Sequence, residues 1–154
     1  HRDLHLSISA ASDVYKRQLQ TCGDFEYHAF KEQMLPWLDL VMVDLKLMDG
    51  KDHLRWTGRD NKRILRNFGL LLGEGVEVMP RIPLVPGFTA SEENLGGLSG
   101  FLKDHGIRSC ALLPYNPLGL SKWDSLGKSR SDLPDTWMEN SQVEDCRRIC
   151  RFQL

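Results

Sequence analysis

An acid and a base two residues apart, Asp44 and Lys46, stand near the end of the apolar run 38–47. Side chains alternate along a strand, so Met42, Asp44 and Lys46 share one face while Val41, Val43, Leu45 and Leu47 share the other. Charges on one face of an otherwise apolar strand are costly to bury unless each finds a partner. They mark either an internal ion pair or a site, and on this strand alone the ion pair is the stronger reading. A second apolar run places Glu77, Met79 and Arg81 on one face, opposite Val76, Val78, Pro80 and Ile82, and Asn116 follows a third run. Polar groups thus gather at three strand ends, where βα loops carry the chemistry of parallel sheets. Two cations and a carboxylate on one rim suit a ligand with its own carboxylate, which Arg holds in a fork and Lys as a point charge. Three unrelated strand ends facing solvent would give the same pattern.

The elements that must position these residues alternate in type. Residues 24–36 read as a helix carrying Phe25, Phe30 and Leu35 and ended by Pro36, and 38–47 as the strand already described. Residues 49–56 form a short helix closed by Gly58, and 61–72 carry Ile64, Leu65, Phe68, Leu71 and Leu72 at helical spacing. A strand over 76–82 leads into a rigid loop over 83–89. Thr89-Ala90-Ser91-Glu92 has the spacing of a capping box, before a helix with Leu95, Leu98, Phe101 and Leu102 on one stripe up to Gly106. Residues 107–114 read as a strand and, after a polar loop, 137–152 as a last helix. Strand and helix in alternation give an α/β fold with a parallel sheet.

Composition narrows the class. Among 154 residues the net charge is −1 with no run of basic residues, so neither nucleic acid nor an anionic membrane is expected as partner. No apolar stretch reaches the roughly 20 residues of a membrane span, and no charged-then-apolar signal peptide is seen, which predicts a cytoplasmic protein. Cys22, Cys110, Cys146 and Cys150 are too scattered for a secreted disulfide scaffold. Cys146 and Cys150 share a helix face, and His28, His53 and His105 are expected alone and solvated on their helices. The stretch from Ser9 to Gln18, SAASDVYKRQ, looks like the translation of a transposon-type sequencing adapter. Residues 1–18 are therefore set aside as a disordered artefact. A closed eight-stranded barrel takes about 250 residues, so any barrel in 19–154 is partial.

Thr21-Cys22-Gly23, Asp44-Leu45-Lys46, the run from Arg81 to Thr89 (RIPLVPGFT) and the run from Leu112 to Gly119 (LLPYNPLG), followed by Lys122-Trp123, stand in the order and spacing of the glycyl-radical-enzyme activating proteins. In these motifs the chain resembles that family, a branch of the radical S-adenosylmethionine (SAM) enzymes to which the pyruvate formate-lyase activating enzyme belongs. The resemblance implies the C-terminal part of a partial (β/α)6 TIM-like barrel. It implies S-adenosylmethionine and a 4Fe-4S cluster as cofactors, a glycyl-radical enzyme as protein substrate and a flavodoxin or ferredoxin-type reductant. By position, it assigns Lys46, Arg81, Asn116 and Asp44 to the cofactor, with Thr21, Met42 and Asp44 around a monovalent cation. Asn116 stands where the pyruvate formate-lyase activator has a His, and Gln20 where the family is usually acidic.

One family feature is missing. The three cysteines that hold the cluster, in a C-x3-C-x2-C pattern, have no counterpart here, because the position three after Cys150 is Gln153. The family's glycine-rich segment for the cofactor's amino group is missing as well. The expectation is an activase fragment, itself inactive and with no catalytic residue of its own. An aldolase-like barrel with Lys46 as a Schiff-base nucleophile is the alternative enzyme, which borohydride trapping would reveal. A non-catalytic binding module or inert fragment is the third reading.

Overall fold

The computed structural model describes residues 5–8, 16–120 and 133–150. The chain divides into two compact units, 1–81 and 82–154. In the first, β1 (His5–Ile8) pairs antiparallel with β2 (Arg17–Thr21), and β2, β3 (Leu40–Asp44) and the start of β4 (Glu77–Leu84) run parallel. The expectation of disorder over 1–18 is corrected at 5–8 and 17–18, since all of β1 and the first two residues of β2, Arg17 and Gln18, come from that segment. Between the strands lie α1 (Tyr27–Gln33), a 3-10 turn (Leu35–Trp37), α2 (Gly50–Thr57) and α3 (Lys62–Leu72). Leu40, Val41, Met42 and Val43 are all buried, as in a parallel strand covered on both faces.

The second unit begins within β4 and continues through α4 (Glu92–Asp104), β5 (Ala111–Pro114), a 3-10 turn (Pro117–Leu120) and α5 (Asn140–Cys150). β5 is the sheet neighbour of β4. Its core contains Ile82, Leu84, Leu95, Leu98, Leu102, Val143, Cys146 and Cys150, and the Ser99 hydroxyl donates to the Cys150 carbonyl at 2.6 Å. Cys146 and Cys150 do share the buried face of α5.

Caps move several boundaries. α1 starts at Tyr27 because Glu26 is its N-cap, accepting from the amides of His28 and Ala29. Asp49 caps α2 through Lys51 and Asp52, and Gly58 closes it in the left-handed region at φ 78°. The capping box expected at Thr89 is corrected. The cap of α4 is Ser91, which accepts from Asn94, while the Thr89 hydroxyl donates to the Pro83 carbonyl and accepts from the Val85 amide. The strand expected over 107–114 shortens to Ala111–Pro114, because α4 ends in a Schellman motif. Gly106 N–H goes to Lys103, and Ile107 N–H to Leu102, which consumes the start of that run. β4 extends to Leu84 through Pro83, beyond the expected end. Residues 121–132, with Lys122-Trp123, and 151–154 lie outside the described residues.

Candidate functional site

β3 and β4 pair in parallel with Met42 opposite Met79 and Asp44 opposite Arg81. Partners in a parallel ladder point the same way, so this register brings Asp44 and Arg81 to one face at the C-terminal end of β3. Arg81 Nε donates to Asp44 Oδ1 at 2.8 Å, with side chains 16% and 24% exposed. The half-buried setting strengthens the pair relative to one in open water. Nε uses one of the five N–H donors of a guanidinium, so the fork retains donors for a second anion. The Arg81 carbonyl accepts from the Leu45 amide at 2.8 Å and carries the ladder one residue past the strand. Beyond Asp44 the alternation of burial continues, with Leu45 and Leu47 buried and Lys46 half-buried. Asp44 and Arg81 therefore meet at one strand end within the first unit, with Lys46 two residues further along the chain.

Other expected residues are placed differently. Thr21 is opposite Val43 in the register, on the face away from Met42 and Asp44, and its hydroxyl accepts from the Gly23 amide at 3.1 Å. Gln20, opposite Met42, lies on the Met42–Asp44 face of the sheet, as does Gln18 opposite Leu40. Asn116 lies in the second unit, exposed, and its side-chain oxygen accepts from Leu118 N–H at 2.9 Å. His53, expected in solvent, is buried, because its Nδ1 donates to the Arg59 carbonyl at 2.7 Å. His28 and His105 are exposed.

Sequence reasoning missed the residues that hold the loops. Asp24, after β2, is gripped by Arg63 at 2.6 Å and Arg59 at 3.2 Å. Asn61 and Asn67 are buried and donate to loop carbonyls after β3 and β2. Asn94 does the same for the Thr89 carbonyl in the second unit. The signal was available for Asn67, which interrupts the apolar stripe of Ile64, Phe68 and Leu71 on the buried side of α3.

Among the described residues, no three His, Cys, Asp or Glu side chains are grouped so that they could hold a metal ion. Burial pushes the Cys110 thiol up to about 12 and Cys150 up to about 11, and raises Cys146 as well. Protonated thiols are poor ligands. The residues described do not fit an iron-sulfur cluster. They do fit an anionic small-molecule head group, through Arg81 and Lys46.

No family model matches the chain. It is 39% identical over 116 residues to the pyruvate formate-lyase 2-activating enzyme of Escherichia coli, covering 73% of this chain and 38% of that protein. It is 35% identical over 133 residues to the trans-4-hydroxy-L-proline dehydratase activating enzyme of Clostridioides difficile, covering 85% of this chain and 44% of that one. The chain thus spans less than half the length of these curated relatives. Its fold is similar to the crystal structure of a domain of the pyruvate-formate lyase-activating enzyme from Bacteroides vulgatus, with a TM-score of 0.66, 20% identity and coverage of 88% and 75% of the two chains. That likeness shows a shared α/β fold. Sequence identity to activating enzymes for several different glycyl-radical enzymes, on this fold, shows that the chain belongs to the glycyl-radical-enzyme activating protein family.

Proposed function

We propose that the chain is the C-terminal portion of a cytoplasmic radical SAM activase, and that the rim formed by Asp44, Lys46 and Arg81 seats the amino-acid end of S-adenosylmethionine. The observation that carries this reading is the Asp44–Arg81 pair across adjacent strand ends, with Lys46 two residues on, in a chain of this family. Bound to a 4Fe-4S cluster and reduced, that cofactor supplies a deoxyadenosyl radical. The residues described here bind and orient instead. Arg81, fixed through Nε, offers its remaining donors to the cofactor's carboxylate, and Lys46 adds a point charge. Asp44 balances the two cations and, with Met42, borders the seat of a monovalent cation. The protein substrate is a glycyl-radical enzyme, and the reductant a flavodoxin or ferredoxin. Residues 1–18 are adapter-derived and carry no part of this function.

A chimera tests the proposal. The matching stretch of the E. coli activating enzyme is replaced by that of this chain, and the reconstituted protein is titrated with S-adenosylmethionine and assayed for a glycyl radical on pyruvate formate-lyase by electron paramagnetic resonance. The expected result is cofactor binding and radical formation. Lys46→Ala or Arg81→Ala should lower affinity roughly ten- to a hundredfold, the equivalent of a charge-assisted contact of about 1.5–3 kcal/mol, without changing iron content. A folded, cluster-loaded chimera that binds the cofactor equally well with and without Lys46 and Arg81 refutes the assignment.

A further inference from the structure

Two buried asparagines fix the backbone on which the candidate site is built. Asn61 is 4% exposed and Asn67 0%. Asn61 Nδ2 donates to the carbonyls of Leu47 at 2.9 Å and Met48 at 2.7 Å. Asn67 Nδ2 donates to those of Gly23 at 2.8 Å and Phe25 at 2.9 Å. Both acceptors in each case are carbonyls, and nitrogen is the only donor of an amide side chain, so the orientation of both amides is determined. Among the described residues no donor reaches Asn67 Oδ1, so this amide is held by its two donated bonds alone.

The consequence for the rim is specific. Lys46 lies between two anchors. The Leu45 amide donates to the Arg81 carbonyl at 2.8 Å on one side, and the Leu47 carbonyl is held by Asn61 on the other. Thr21 is tied in the same manner, since its hydroxyl accepts from the Gly23 amide while the Gly23 carbonyl accepts from Asn67. An aspartate of the same shape would set a carboxylate against two carbonyls, and an alanine would leave both carbonyls unpaired.

We propose that Asn61 and Asn67 are positioning residues. Asn61 sets the backbone from which Lys46 projects, so the rim's affinity for its ligand depends on a side chain acting through the main chain, while Asn67 sets the turn that follows Thr21. The ligand half of this statement rests on the rim being the seat of S-adenosylmethionine.

The test uses the full chain with Asn61→Ala, Asn61→Asp, Asn67→Ala and Asn67→Asp, and Lys46→Ala alone and combined with Asn61→Ala. Amide hydrogen exchange and calorimetric titration with S-adenosylmethionine are measured on each. Exchange should rise at least tenfold at residues 45–49 in the Asn61 variants and at 22–26 in the Asn67 variants, with α1 and the other loop as in the parent. Asn61→Ala should weaken S-adenosylmethionine binding about tenfold, yet have no further effect once Lys46 is Ala, because it acts through that residue. Equal losses with and without Lys46 would show a general structural role and overturn the proposal, as would exchange that rises uniformly across the first unit. If an Ala or Asp variant of Asn67 does not fold, Asn67→Ser, which keeps one donor, carries the exchange measurement. A parent chain that binds no S-adenosylmethionine overturns the cofactor seat, and the loop-specific exchange then decides the asparagines by itself.

Discussion

Gly23 is required twice over, once by its backbone and once by its neighbours. Its φ is 77°, where L side chains are strained, and a Cβ there would lie 3.2 Å from Ile64 Cγ2 and 3.3 Å from Val43 Cγ1. Gly58 shares the backbone angle, at 78°, but has nothing within 4 Å of a Cβ. Gly23→Ala should therefore destabilise the chain by about 2–4 kcal/mol, strain and overpacking together, against about 1–2 kcal/mol for Gly58→Ala. Urea denaturation of the two variants checks the difference, and equal effects would show that the Ile64 and Val43 contacts relax freely. At this scale the sequence was informative about Asp44, Lys46 and Arg81, because alternation alone put charges where an apolar strand should have none. It was silent about which charge meets which. The Asp44–Arg81 bond joins residues 37 positions apart, a matter of register between strands that no local pattern contains. Asn61 was invisible for a different reason, since asparagine at the start of a helix reads as a cap, whereas Asn67 was visible as a break in the apolar stripe of α3.

Elements were legible in kind and order and less so in extent. Apolar stripes located α3 and α4, and Gly58 and Gly106 marked where α2 and α4 stop. Boundaries failed where a side chain chose one of several nearby amides, as Ser91 rather than Thr89 did at α4. These elements also set a pH response. Burial raises Cys110 from 9.0 to about 12 and Cys150 from 9.0 to about 11, and burial with the Glu74 bond raises Tyr27 from 10.0 to about 12. A group whose folded pKa is raised contributes stability that is intact below its unfolded value and lost as pH climbs toward the folded one. The chain should thus lose stability between about pH 9 and pH 12, seen as a falling urea midpoint. Cys110→Ala should make that fall shallower, and an unchanged slope would remove Cys110 from the account. At the acid end the signs reverse. Helix amides hold the carboxylates of Asp49 and Glu26 below their ordinary range, so their support for α2 and α1 fades as pH falls below the ordinary carboxylate range.

For the molecule as a whole, the exposed surface argues for association. Trp37, Leu54 and Trp56 in the first unit and Leu118 and Trp137 in the second are 45–63% exposed, and β5 borders β4 and no other strand among the described residues. Open strand edges and apolar surface recruit further chains. Size-exclusion chromatography with light scattering should show oligomers that grow with concentration, and a sharp monomer across a hundredfold range of dilution would contradict this. The strand arrangement has a consequence in time. The antiparallel pairing of β1 with β2 joins near neighbours, as in His5 with Gln20, whereas the parallel pairings reach from Gln18 to Leu40 and from Asp44 to Arg81. Hairpins close in about 1–10 μs, and sheets built from distant segments wait milliseconds or longer. On a refolding chain β1 therefore reaches β2 before β3 does, and the parallel sheet grows on a strand whose other edge is already taken.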